Sequence, residues 1–583
     1  MQHDEKNGGQ VIKKKGIDRR DFMKKTAVGA VGAGIFLNQS PWLKSQGHNN
    51  PRFRKKSNCR AGENIVFDVV IKNGRVIDGC GNPWFEADVA LKNGRILKIG
   101  KVKSASDKVI DAEGLIVAPG IIDLHNHSDT EIFVNQKAES AIRQGITTMI
   151  VGNCGSSAAP QMKKTENMDW QTYEEYLNKL EEHGTAVNFG GFVGHGRIRG
   201  AVMGMEARPA TEHEIERMIA LLKESLEGGA FGLSTGLEYA PGANATTEEL
   251  IELAKVLKDY PGTIYVSHMR QRDEMAVEAV QEGIEIGEKA GVPVHFSHHP
   301  MRYPFHGRMN ELLKLKEEAR DRGVDVTFDT MILNYNMSSM GALLPHWMHE
   351  GGAEKLVERL KDPQIRKQAK EYQNPQQKHF RDGLWDKVLL GNNRANKDLI
   401  GKNLAEIAEI KGYQDPWEMA MDMMIEEGDG SVGIYCNTFT DEDIITCLRH
   451  PLGMAVGSDV TAYAPYGPLG ERRPHPANYG FYPLFFKKFI REMKVLNLEE
   501  AVRKVTSFPA QRIGLWDRGI LREGMWGDIM VFDFDRIRDR STFENPHQYP
   551  EGIEYVVVNG QLVIERGKHT GVLLGKVLRY PLS

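Results

Sequence analysis

The sequence predicts an α/β fold: a (β/α)8 TIM-like barrel with a small β-sandwich domain built from both termini. Three observations carry this. Short apolar, β-prone runs recur along the middle of the chain, and helix-like segments follow most of them, as a parallel sheet requires. Five of these runs stop at a residue able to bind a metal: His125 with His127, then Cys154, His268, His298 and Asp459. Strand-rich segments with Asn-Gly turn signals sit at the two ends of the chain, outside this series.

Taken in order, residues 1–60 read as a leader and linker. They hold 14 Lys/Arg against 4 Asp/Glu, whereas the whole chain of 583 residues carries a net charge of −4. Asp18-Arg19-Arg20-Asp21-Phe22 precedes the small-residue apolar stretch 26–37, a pattern similar to a twin-arginine export signal. Twelve residues are too few to span a bilayer, which takes about 20. The expected location is periplasmic or otherwise exported, with no membrane span in the mature protein. The acidic remainder offers no basic surface for nucleic acid.

Residues 61–118 supply the first part of the sandwich. Apolar runs flank Asn73-Gly74 and Asn93-Gly94, each a hairpin signal. Residues 119–512 form the barrel. Besides the five runs above, 189–195, 230–234 and 324–329 have strand character, and 432–436 makes a ninth candidate, one more than a barrel holds. Residues about 335–400 show no clear βα unit and are expected to form an insertion over the barrel mouth. Residues 513–583 return to β-rich sequence and complete the sandwich.

The chemistry lies in the strand ends. Side chains two apart on a strand share a face, so His125 and His127 project together. Two imidazoles on one face are half of a divalent-metal site. A lone His-x-His is ambiguous, but strand C-termini of a closed parallel barrel converge on one face, where Cys154, His268, His298 and Asp459 would join the pair. The five cysteines are odd in number and widely spaced, unlike a disulfide framework. Cys154 stands within Gly-Asn-Cys-Gly, where tight turns expose a thiolate. For Asp459 the alternative is a helix cap; His195, between glycines, fits a substrate contact or a tight turn equally well. Arg270 would bind an anion or pair with Asp273 or Glu274, and His299, next to His298, points to the opposite face.

The motifs 117–127 (ending His125-Asn126-His127), Gly152-Asn153-Cys154-Gly155, Gly194-His195-Gly196, 232–241, Ser267-His268-Met269-Arg270, Ser297-His298-His299 and Gly457-Ser458-Asp459 resemble the amidohydrolase superfamily, and within it the N-acyl-D-amino-acid deacylases (D-aminoacylases), over about 64–575. The resemblance implies zinc, one ion held tightly by Cys154, His268 and His298, and a second, weaker site of His125, His127, Asp459 and the shared Cys154. It implies Asp459 as the general base and acid in hydrolysis of a non-peptide C–N bond. Tyr239 matches a substrate-contacting tyrosine.

The chain departs from the family where the substrate carboxylate is held. Pro300 stands in place of a lysine after Ser-His-His. Thr330-Met331-Ile332 replaces a Tyr-Pro-Tyr-like motif after Asp329, and Ala477 replaces an arginine after His475-Pro476. Arg302, Arg308, Arg472 and Arg473 are the candidates to restore the missing charge. The expected substrate is a small N-acyl-D-amino acid or related N-acyl compound. The alternatives are an uncharged or cyclic amide, or an exported protein that binds metal without catalysis.

Overall fold

A computed structural model describes residues 65–165, 168–372, 378–428 and 430–581; the segment expected to be a twin-arginine leader lies outside them. The described chain opens with β1 (Phe67–Val76), β2 (Phe85–Lys92), β3 (Arg95–Gly100), β4 (Ser106–Asp111) and β5 (Ile116–Pro119). Asn93 and Gly94 join β2 to β3 with φ of 50° and 79°, and Lys92 pairs with Arg95, so this is the expected two-residue hairpin. Asn73-Gly74 is not a turn. It lies inside β1 at a register shift, where β1 leaves β4 for β5. A Cβ on Gly74 would sit 2.4 Å from Val117 Cγ2, so only glycine lets β5 approach there.

The barrel follows with β6 (Ile121–Asp123), β7 (Ile146–Val151), β8 (Asn188–Gly191), β9 (Val193–Gly194), β10 (Gly232–Gly236), β11 (Ile264–His268), β12 (Val294–His299) and β13 (Val326–Thr330). After an insertion containing β14 (Tyr335–Ser339), β15 (Val388–Leu390) and β16 (Gly433–Asn437) comes β17 (Gly453–Met454). One parallel arc runs β6-β7-β8 and the other β9-β10-β11-β12-β13-β17. β8 and β9 are one stave of the eight, pairing with β7 below Phe192 and with β10 above it. The opposite seam closes through a parallel bridge between Asn126 and Val460, where the Asp459 N–H donates to His125 O (3.0 Å) and the His127 N–H to Val460 O (2.8 Å).

The ninth strand candidate is therefore not a stave. Residues 433–437 pair antiparallel with β14 and β15 inside the insertion, which runs on to about 437 rather than ending near 400. The insertion has its own core around Met340, Leu356, Met423 and Ile434. Its helices Leu404–Lys411 and Pro416–Glu427 carry the same apolar spacing as barrel helices, which hid the boundary in the sequence.

The chain ends with β18 (Ile529–Phe532), β19 (Ile553–Val558), β20 (Gln561–Glu565) and β21 (Lys568–His569). These extend the first sheet in the order β21-β20-β19-β18-β5-β1-β2-β3, with β4 against β1. Both termini build the domain, as expected, but its hydrogen bonds run through one sheet rather than two. Strands from its opposite ends nonetheless share a core, Val89 and Leu91 with Val531 and Val557. The alternate residues Met530, Phe532 and Val556 face the barrel core instead, the period-two pattern of a sheet buried on both sides. No helix among the described residues is long and apolar enough to cross a membrane.

One core position is costly. Lys316, on the helix Met309–Asp321, is fully buried, with Nζ 4.6 Å from the Phe296 ring centroid and 5.9 Å from that of Phe328. The ammonium finds no hydrogen-bond partner among the described residues, and burial pulls its pKa down to about 7, against a raising effect of Cys447. The unfolded chain holds this proton up to about pH 10.4, so stability rises with pH between those limits and is weakened below them. Lys316→Met should stabilise the protein at pH 7 by about 2–4 kcal/mol. Chemical denaturation at pH 7 and pH 10 checks this, and the gain should shrink at the higher pH.

Candidate metal centre

Each ligand-type residue sits at the C-terminal end of a barrel strand or just past it. β6 ends at Asp123, a buried carboxylate that accepts from Asn126 Nδ2 (2.8 Å), Ser458 Oγ (2.8 Å) and Tyr482 Oη (2.9 Å). Burial pushes it up to about 6 despite these bonds. Asp123 thus ties the His125-His127 segment to the Ser458-Asp459 turn, the first strand end to the last.

Two donor groups share one sulfur. His125, His127, Cys154 and Asp459 form one; Cys154, His268 and His298 form the other, with all ligand atoms of each group within 4.8 Å of one another. Cys154 Sγ lies 3.3 Å from His125 Nε2, 3.4 Å from His268 Nδ1 and 3.5 Å from His298 Nε2. Asp459 Oδ1 lies 2.9 Å from His127 Nε2 and 3.5 Å from His125 Nε2. Tetrahedral zinc with ordinary bond lengths sets nitrogen and sulfur about 3.5 Å apart, so these separations fit such an ion. Thiolate with imidazole also selects zinc over magnesium or calcium.

Electrostatics agree. Burial alone would raise the Cys154 thiol, yet the His125 and His268 imidazoles hold it well below its usual value. Burial alone would lower His127, yet Asp459 and the Cys154 sulfur hold it up at about 10. Thiolate and carboxylate thus create a demand for positive charge that protons or a cation can meet.

The backbone is bent to bring these donors together. Cys154, His298 and Asp459 all occupy the left-handed region, with φ of 51°, 41° and 53°. For residues with a Cβ this costs about 1–2 kcal/mol each, strain of the kind that gathers at functional sites. The glycines beside Cys154 have a separate cause: a Cβ on Gly152 would lie 1.9 Å from Phe192 O, and one on Gly155 2.5 Å from Gly236 N.

Two carboxylates that sequence reasoning passed over orient the ligands. Asp329 Oδ2 lies 3.1 Å from both His125 Nδ1 and His295 Nε2, and Oδ1 accepts from the His298 backbone N–H. Glu238 Oε2 lies 2.9 Å from His268 Nε2, and Arg302 grips the same carboxylate. Burial alone would raise both acids; His125 holds Asp329, and Arg302 with His268 holds Glu238, well below the carboxylate range. Such outer partners fix the tautomer and ring orientation of metal-binding histidines. Both follow the signal that revealed the ligands, an acid at or just beyond a strand end, which could have found them.

The remaining predicted residues divide. The Tyr239 ring lies 4.9 Å from the His268 ring and lines a cleft of about 590 Å³ that also reaches Cys154. His195 starts the helix His195–Met203, buried, with Nε2 2.9 Å from Glu249 Oε1; it joins neither donor group. The expectation that Arg270 binds substrate is corrected: it pairs with Glu282 at 2.8 Å and donates to the carbonyls of Ala243 and Ala245. Glu274, one of the two partners expected for it, pairs with Arg381 at 2.6 Å. His299 is buried and stacks on Phe328, a packing role. A second cavity of about 230 Å³ lies between Glu238 and Tyr239 and the insertion residues Ser339, His346 and His349, so the insertion does wall the barrel mouth.

A model of the amidohydrolase family matches residues 108–564. D-aminoacylase of Alcaligenes xylosoxydans xylosoxydans is 32% identical over 88% of this chain and 97% of its own length. N-acyl-D-aspartate deacylase of the same organism is 32% identical over 86% of this chain and 93% of its own. The solved structure of N-acyl-D-glutamate deacylase from Bordetella bronchiseptica, complexed with zinc and a phosphonate mimic of the tetrahedral intermediate, superposes with a TM-score of 0.75 at 30% identity, covering 88% of this chain and all of that one. With its converging strand ends and paired donor groups, the chain belongs to the amidohydrolase family.

Proposed function

We propose that this protein is a zinc-dependent deacylase of N-acyl-D-amino acids. The observation that carries the proposal is Asp459. Its carboxylate joins His125, His127 and Cys154 in one donor group, beside the group of Cys154, His268 and His298 that could hold an ion without it. A single structural ion needs no second group with a carboxylate at its side.

An amide resists water because water is a weak nucleophile and an amide nitrogen a poor leaving group. Bound zinc brings the pKa of water from 15.7 to about 7 and polarises the acyl carbonyl. Cys154, His268 and His298 would hold the ion, with His125 and His127 completing the second group. Asp459 accepts the proton of the attacking water, a C–O bond forms at the acyl carbon, and Asp459 returns the proton to the amide nitrogen. The C–N bond then breaks, giving a carboxylic acid and the free amino acid. Asp329 and Glu238 keep the His125 and His268 rings turned toward the centre.

The names of the relatives support the D-amino-acid substrate class. The missing lysine, Tyr-Pro-Tyr and arginine favour an uncharged amide instead, so the test sets the two against each other. Zinc-loaded protein should hydrolyse N-acetyl-D-methionine faster than its carboxamide and faster than the L-isomer, and chelator should abolish turnover. A preference for the carboxamide would overturn the reading.

A further inference from the structure

We propose that Arg197 anchors the substrate α-carboxylate and that the adjoining cleft takes N-acyl amino acids with uncharged, apolar side chains. The inference rests on the deacylase reading above and gives it a substrate class. The four arginines that sequence suggests for this task are placed otherwise. Arg302 is fully buried against Glu238. Arg308 pairs with Glu311 at 2.7 Å, and Arg472 with Glu131 at 3.3 Å. None of these three, nor Arg473, lines the cleft that reaches Cys154.

Arg197 does line it, and among the described residues the other ionisable lining side chains are only Cys154 and the Tyr239 phenol. It sits in the first turn of the helix His195–Met203, where its backbone N–H donates to Gly155 O (3.1 Å), the residue after Cys154. Its Nε donates to Ser157 O (2.6 Å), which fixes the plane of the guanidinium. Both terminal nitrogens are left without a protein acceptor among the described residues. Arg199, two positions on, shows the contrast: it is fully buried, 3.4 Å from Glu249 Oε2, and binds the carbonyls of Pro241 and Arg208. Asp129, the acid whose charge acts on Arg197, forms no ion pair with it. Arg197 is thus a half-buried, held guanidinium facing the substrate cleft with its fork open. A carboxylate fills such a fork with two parallel hydrogen bonds.

The rest of the wall argues for the side chain. Met162, Met205, Pro160, Pro241 and Ala201 are apolar, Ser156 and Gln161 are neutral, and among the described residues no second cation lines the cleft. An aspartate or glutamate side chain would bring a second carboxylate with no partner, which burial strongly disfavours. A methionine- or leucine-like side chain meets a surface of its own kind.

The test compares Arg197→Gln and Arg197→Lys with the wild type, on N-acetyl-D-methionine, its carboxamide and N-acetyl-D-glutamate, with zinc content measured for each protein. In the wild type, kcat/KM for the methionine compound should exceed that for the glutamate compound by about tenfold or more. Arg197→Gln should lower the acid-over-carboxamide preference by about 30-fold or more, chiefly through KM, at unchanged zinc content. Arg197→Lys should recover part of that preference, because it restores the charge without the fork. Equal losses on acid and carboxamide would mean that Arg197 only braces the Ser157 loop; this, or faster turnover of the glutamate compound, overturns the assignment while leaving the deacylase reading intact. A wild type that turns over the carboxamide but neither acid removes both.

Discussion

Asp459→Asn lowers kcat by about three orders of magnitude while zinc content and fold are retained, because a positioned acid–base group supplies about 10²–10⁴ of rate. The amide has the size of the carboxylate and keeps an oxygen to face His127, so the left-handed turn at φ 53° can persist. It cannot take up a proton. Burial would raise the Asp459 pKa, but His127 and His125 hold it below the ordinary value, so the carboxylate is ionised at neutral pH and ready to act as a base. Steady-state kinetics beside metal analysis make the test. A variant that keeps kcat within tenfold of the wild type would show that the proton goes elsewhere.

Cys154→Ala should empty the centre. The sulfur is common to both donor groups and lies within 3.5 Å of His125, His268 and His298, so its loss removes a ligand from each group at once. Losing an outer partner of a metal ligand already costs about 10–100-fold in affinity, and loss of the shared ligand should exceed that. Dialysis against a chelator followed by metal analysis should leave the variant without zinc under conditions where the wild type keeps it. Stoichiometric zinc in the dialysed variant would end the shared-ligand description. The left-handed backbone at Cys154 is as costly for alanine as for cysteine, so the variant should not gain stability to mask the effect.

Sequence made the barrel and its donors legible because both depend on local pattern. A strand end is a short apolar run followed by a polar residue, and the six ligands His125, His127, Cys154, His268, His298 and Asp459 each sit at one. The eight staves were all among the nine candidates; the surplus one, 433–437, is a genuine strand that pairs within the insertion, a partnership no local pattern reveals. Asn93-Gly94 and Asn73-Gly74 look alike in sequence, and only the crossing of β5 makes the second a bulge. Arg270 and Arg197 illustrate the same limit in charge. Each is an arginine a few residues past a strand, and what separates them is whether an acid such as Glu282, on the following helix, comes within reach.

The seam between the two ends of the polypeptide has a consequence for how this molecule can be made. β5 leads directly into the first barrel strand, yet its neighbour β18 lies more than four hundred residues downstream. Near the C-terminus, the Phe189 N–H donates to Lys576 O and the Leu578 N–H to Phe189 O, so the final residues run alongside a stave. Asn188 is further bonded to Asp528 and Asn559. Pairings of such span form late, after most of the chain entropy has been lost. A chain lacking residues 528–578 would expose the edge of β5 and the flank of β8 together, so these two edges stay open to mispairing until that segment docks.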